Sequence, residues 1–201
     1  VLHKDYFNSD EFKLGGMNME NTYNGNLLEL LSHKHKISKD NIILFKNEND
    51  ALVKVLEIFV GRDQEIITEN PNWQNIVLYA KENNIDVHFV NLKLKEDKTY
   101  INIQGISKKI NERTKLIYVS SPNIVSGQSI PKITFEEFLS KIPDNIIILV
   151  DQRYYELSTH KNKLNALDYI QNNNIIVIRS FSNYSSIQSL TLSYLMCNSK
   201  I

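Results

Sequence analysis

Four short segments hold the residues whose types could do chemistry, and each follows a short apolar run. They are Glu69-Asn70-Pro71-Asn72-Trp73, Ser120-Ser121-Pro122-Asn123-Ile124-Val125-Ser126-Gly127, Asp151-Gln152-Arg153-Tyr154 and Arg179-Ser180-Phe181-Ser182-Asn183. Taken alone, Asp151 reads either as a turn cap after a strand or as a carboxylate that meets a ligand. Trp73 reads either as a core aromatic at a helix start or as a ring on which a ligand stacks. Other candidates carry less. His33 and His35 are two apart on an expected helix and do not face one another, a poor metal pair. His160 sits near Lys161 and Lys163, and a surface loop is its expected home. The chain has no Walker A sequence, no dinucleotide glycine fingerprint and no Gly-x-Ser-x-Gly elbow.

The elements that must position these segments alternate between β-rich runs and helical stretches. Strands are expected over Asn41–Phe45, Gln64–Thr68, Asp86–Val90, Lys115–Val119, Asn145–Val150, Asn174–Ile178 and Leu190–Met196. Several are continuously apolar, as in a sheet covered on both faces. Asp50–Val60 places Leu52, Val53, Leu56 and Val60 on one helical face. Trp73–Asn83 groups Ile76, Val77 and Ala80, and Thr134–Lys141 opens with Thr134 and Glu137 in capping-box spacing. Such alternation implies right-handed βαβ units: a three-layer α/β/α fold on a mainly parallel sheet of about seven strands. Sheets of that kind bind ligands at the carboxyl ends of their strands, where all four segments fall.

Composition narrows the function classes. The 201 residues are 42% hydrophobic and 23% charged, with 23 basic and 23 acidic side chains and no net charge. That balance does not favour nucleic acid, and the locally basic Ser32–Lys39 reads as a solvated helix end. A single cysteine, Cys197, excludes an intrachain disulfide and a cysteine metal cluster and suits the cytoplasm. No apolar run approaches the ~20 residues of a membrane span, and no signal-peptide core is seen. Residues 1–25, holding three of six glycines, read as an N-terminal arm, with one domain over 26–201.

The order and spacing of the four segments resemble the fold type I pyridoxal-phosphate enzymes, and among them histidinol-phosphate aminotransferase and its relatives. The resemblance runs from about Tyr23 to Asn198. It implies the aminotransferase large domain and pyridoxal phosphate as cofactor, an electron sink whose ring nitrogen a buried carboxylate keeps protonated. By that resemblance Asp151 is the carboxylate, Asn123 hydrogen-bonds the phenolic oxygen, Tyr154 assists there, and Trp73 stacks on the ring. Ser182 falls among the cofactor-binding residues. Tyr23 sits where relatives use a neighbouring subunit's tyrosine, or is a simple arm residue.

The pattern then breaks. Relatives read Ser-Lys where this chain reads Ser182-Asn183, and an asparagine amide is neither a usable nucleophile nor a general base. The phosphate arginine of relatives corresponds to Thr191, and two glycines around it to Ser189 and Ser193. A Gly-Ser or Gly-Ala pair at the N-terminus of the helix after the first strand corresponds to Asn47-Glu48. A glutamate there satisfies the helix end itself and repels a phosphate. Relatives also continue into a smaller C-terminal domain, so a chain ending at Ile201 reads as a fragment or as a version without that domain. These changes argue against tight cofactor binding. The expectation is a catalytically degenerate aminotransferase-like domain kept for binding a small molecule or as a subunit, in a homodimer or beside an active homologue. The alternatives are an atypical pyridoxal- or pyridoxamine-phosphate enzyme working without the lysine, and an α/β protein with a different ligand in the inherited cleft.

Overall fold

The structure, a computed structural model, describes residues 22–71, 74–95, 98–159, 163–171, 174–182 and 191–201. Among these residues nine strands form in chain order: β1 Ile42–Phe45, β2 Glu65–Asn70, β3 Asp86–Asn91, β4 Lys93–Lys95, β5 Lys98–Tyr100, β6 Thr114–Ser120, β7 Ile147–Asp151, β8 Ile175–Ser180 and β9 Ser193–Cys197. Five α-helices accompany them among the same residues: α1 Thr22–His35, α2 Glu48–Phe59, α3 Gln74–Glu82, α4 Ile103–Lys109 and α5 Lys132–Leu139. Seven strands make one sheet in the order β1-β9-β8-β7-β6-β2-β3. Among its pairs only those of β9 are antiparallel. The expected mainly parallel, seven-stranded sheet is what the chain forms.

The central strands are apolar on both sides because helices cover both. On one face Ile117, Val119, Ile148, Val150 and Val177 pack with Leu31 of α1, Ile106 of α4, and Phe135 and Phe138 of α5. On the other Leu116, Tyr118, Leu149 and Ile178 pack with Leu52, Val55 and Leu56 of α2 and Ile76 and Ala80 of α3. Each buried Leu, Ile or Phe contributes roughly 1.5–3 kcal/mol before the entropy of ordering it is deducted.

Local chemistry moves several expected boundaries. α2 begins at Glu48 because Asn47 caps it, its side-chain oxygen accepting from Asp50 N at 2.9 Å. Its buried face takes Ala51 and Val55 rather than Val53. The Thr134–Glu137 capping box does not form. α5 starts two residues earlier, after Pro131, without a side-chain cap. Phe135 N reaches the Pro131 carbonyl at 3.0 Å, so Thr134 already lies inside the helix. α1 starts at Thr22, within the stretch read as an arm; residues 1–21 lie outside the described residues. The β4–β5 hairpin and α4 had no counterpart in the sequence reading.

Candidate functional site

β2 and β6 are neighbours in the sheet, yet the chain leaves them for opposite faces: β2 runs on to α3, β6 to α5. This divergence falls at the carboxyl ends of the strands, where sheets of this kind bind ligands. Glu69, Ser120 and Asn123 meet there, all buried. The Ser120 hydroxyl donates a short hydrogen bond to Glu69 Oε1. Asn123 Nδ2 donates to the same oxygen at 2.9 Å and to Ser120 Oγ at 3.0 Å. Asn123 Oδ1 accepts from Val125 N at 3.0 Å and Ser126 N at 2.9 Å. Gly127, at φ +68° with open space around it, turns this loop back so that its N–H reaches the Asn123 carbonyl at 2.8 Å. Both donors and both lone pairs of the Asn123 amide are thus engaged within the chain. Glu69 is 2% exposed and its Oε2 has no hydrogen-bond partner. Burial pushes its carboxyl up to about 7, against the hydrogen bonds from Ser120 and Asn123 and with help from the nearby Asp151 charge.

One strand further on, Asp151 ends β7 at 3% exposure. Its Oδ2 accepts from the Tyr118 hydroxyl at 2.6 Å and from Arg153 Nη2 at 2.7 Å. Arg153 Nε lies 3.0 Å from Oδ1 and 2.9 Å from Oδ2, and Arg153 N donates to Oδ1 at 3.0 Å. This is a nearly buried fork-on-carboxylate pair, closed by a phenol. Burial alone would lower the Arg153 guanidinium, but the Asp151 carboxylate outweighs it and the net shift is upward. Burial, then the Asp151 charge, pushes the Tyr118 phenol well above its ordinary range. Asn123 and Tyr154 line one cavity of about 330 Å³ with Ile124, Leu157 and Ser158. The structure therefore brings these two expected residues together and turns Asp151 toward Arg153.

At β8 and the start of α2, the Ser180 hydroxyl donates a short hydrogen bond to the Glu48 carboxylate. Ser182 Oγ lies 3.0 Å from Ser180 Oγ, and Ser182 N donates to that oxygen at 3.0 Å. Ser193 is paired with Ser180 across β8 and β9; it is fully buried and its Oγ has no hydrogen-bond partner. Thr191 stands exposed just before β9. Trp73, Asn183, Ser189 and His160 lie outside the described residues, as does the side chain of Tyr23.

A second cavity, of about 530 Å³, opens between the end of α1 and the loops after β7. Its wall includes Arg179, whose guanidinium lies 3.9 Å from the centre of the Tyr155 ring and donates to Asn165 Oδ1 at 2.8 Å. His35, read with His33 as a poor metal pair, instead meets the Tyr194 hydroxyl at 3.1 Å. Burial, then Arg179 and Lys34, hold its imidazole down at about 4. Among the described residues no cluster of three metal-ligating side chains exists, and no helix is long and apolar enough to cross a membrane.

The sequence reading assigned no role to Glu69, Arg153, Tyr118 or Ser180. Glu69 had a signal: a carboxylate placed directly after the expected Gln64–Thr68 strand. Arg153 had one too, lying two residues from Asp151 in the same loop.

With that geometry in place, known proteins resemble this chain in both sequence and fold. Residues 8–201 match the family aminotransferase class I and II, and the chain belongs to it. Histidinol-phosphate aminotransferase 2 of Hydrogenovibrio crunogenus is 30% identical over 161 residues, covering 80% of this chain and 42% of that protein. Histidinol-phosphate aminotransferase of Pelagibacter ubique is 25% identical over 170 residues, covering 84% of this chain and 46% of that protein. In fold the chain is similar to histidinol-phosphate aminotransferase from Sinorhizobium meliloti in complex with pyridoxal-5'-phosphate. That match has a TM-score of 0.77 at 16% identity, over 88% of this chain and 47% of the other. A putative histidinol-phosphate aminotransferase from Erwinia carotovora atroseptica gives 0.78 at 18% identity, over 87% and 51%. The chain spans about half the length of the curated relatives it matches.

Pyridoxal phosphate, which the family implies, meets a donor set that does not fit it. The Asp151 carboxylate is held by Arg153, the Asn123 amide by Glu69 and Ser120, and the Ser180 hydroxyl by Glu48 at the start of α2.

Proposed function

We propose that this chain is a catalytically degenerate aminotransferase-like domain, kept for binding or as a partner subunit. The observation that carries the reading is the Asp151–Arg153 pair. A carboxylate that stabilises a protonated ring nitrogen does so with unspent negative charge. Here a permanent cation already neutralises it in two-pronged geometry, and Tyr118 takes what remains. Asn183 at the lysine position supports the same conclusion, since no amine is there to form an imine. The sites that remain are a small-molecule cavity beside Asn123 and Tyr154 and a surface that pairs with a second copy or with an active homologue. The cytoplasm is the compartment that suits a single, buried cysteine.

That same cavity favours a second reading, an atypical pyridoxal- or pyridoxamine-phosphate enzyme working without the lysine, because Asn123 and Tyr154 converge on one space. Titration with pyridoxal phosphate separates the two. The degenerate domain shows no new visible band and no rise in melting temperature at micromolar cofactor. A bound-cofactor band or clear stabilisation overturns the first reading in favour of the second.

A further inference from the structure

Two arginines stand nearly buried near the ends of β7 and β8, and their counter-charges differ. Arg153 is forked onto Asp151. Arg179, 3% exposed, spends Nη2 on two neutral amides, Gln152 Oε1 at 3.1 Å and Asn165 Oδ1 at 2.8 Å. Its Nε has no hydrogen-bond partner, and Nη1 stands 3.6 Å from Glu156 Oε1, beyond hydrogen-bond distance. Glu156 is itself held at 3.0 Å by Lys34. Burial pulls the Arg179 guanidinium below its ordinary range, whereas Asp151 lifts that of Arg153 above it. A buried charge with so distant a partner is costly to keep.

Arg179 stands in the wall of the cavity of about 530 Å³ between the end of α1 and the loops after β7, a size that suits a small ligand. That wall sets the cations Lys34, Lys36 and Arg179 against the carboxylates Glu156 and Asp168. One positive charge is left in excess at neutral pH, where His35 is uncharged. Lys36, at φ +55°, closes α1 in the left-handed region, and Ile37 N donates to the Ser32 carbonyl at 3.2 Å. Ile37, Tyr155 and Leu167 supply apolar surface.

We infer that this cavity binds a small organic monocarboxylate, its carboxylate paired with Arg179 and its hydrocarbon body against Ile37, Tyr155 and Leu167. The ligand brings the counter-charge that Glu156, shared with Lys34, leaves wanting, and a guanidinium matches a carboxylate in shape as well as charge. A neutral molecule of the same outline leaves the charge as it is, and a second negative charge meets Glu156 and Asp168. The cavity shares no lining residue with the one beside Asn123 and Tyr154, so the site is independent of what that one holds.

Benzoate and its neutral isostere benzamide are titrated into the wild-type chain at neutral pH and constant ionic strength set with chloride. Calorimetry gives the affinities, and NMR of the histidine rings gives the location. Benzoate should bind, raise the melting temperature and shift the His35 resonances, leaving those of the exposed His33 in place. Benzamide should bind at least about tenfold more weakly, equivalent to roughly 1.4 kcal/mol. Lys36→Glu, which reverses one exposed charge of the wall, should weaken benzoate by about threefold and leave benzamide unchanged. Arg179→Gln should bring benzoate down to the level of benzamide; if that variant does not fold, Lys36→Glu and the benzamide comparison decide. Equal affinity for the two probes, benzoate binding that leaves His35 unmoved, or no benzoate binding overturns the assignment.

Discussion

Arg153 shows how one side chain can redirect a buried acid. Its side chain is 11% exposed against 3% for Asp151, so both charges have given up most of their hydration. Such pairs add little over apolar packing, but removing one partner strands the other, at a cost of roughly 3–5 kcal/mol. Arg153→Ala should therefore lower stability by about that amount. Restoring neutrality with Asp151→Asn in the same chain should recover a good part of it, since Tyr118 can still donate to the remaining oxygen. Chemical denaturation of the two single variants and the double variant measures the coupling directly. Additive losses would mean that the pair is not the interaction holding Asp151. The same logic explains the Asn123 amide, whose partners are all internal, and whose type alone could not reveal them.

At the scale of elements, the sheet was legible because its strands are long apolar runs whose type survives any exchange of surface residues. Thr114–Ser120 and Ile147–Asp151 are buried at nearly every position, so no register or loop detail was needed to read them. α4 was not legible. It is seven residues long, contains Gly105, and owes its start to the Asn102 side chain, which accepts from Gly105 N at 2.9 Å. Helices this short depend on packing more than on propensity. Glycine is required at 105 for space: a Cβ there would lie 2.5 Å from Asn102 Nδ2 and 2.8 Å from Val90 Cγ1. Asn102 cannot swing away without giving up its cap. Gly105→Ala, worth up to about 1 kcal/mol of stabilisation in an open helix, should instead cost about 1–3 kcal/mol through overpacking. A thermal melt decides the sign. The site divides the same way: Asp151, Asn123 and Tyr154 were readable as positions after strands, whereas Glu69, Arg153 and Ser180 matter through partners that only the fold supplies.

For the molecule as a whole, two titratable groups, the buried Glu69 and the half-buried His35, oppose each other in how stability depends on pH. Glu69 has its carboxyl raised from an ordinary 4.5 to about 7, so the folded chain holds a proton that the unfolded chain releases. Its contribution is fully present below pH 4.5 and is lost as pH rises through about 7. A shift of that size corresponds to about 3 kcal/mol. His35 moves the other way: lowered from 6.5 to about 4, it is neutral in the fold while the unfolded chain takes up a proton, so stability is lost as pH falls from 6.5 toward 4. Between pH 4.5 and 6.5 the two slopes have opposite sign, and each masks the other in the wild-type chain. Glu69→Gln removes the falling limb, so its stability relative to wild type should climb from about pH 4.5 and level off near 7. His35→Gln removes the rising limb, so its advantage over wild type should be greatest near pH 4 and gone by 6.5. Urea midpoints of the three chains across pH 4 to 8, taken as differences from wild type, test both signs at once, because carboxylates common to all three cancel. Parallel curves for wild type and Glu69→Gln would show that Glu69 titrates in the fold as it does in the unfolded chain, and so carries a full negative charge at neutral pH.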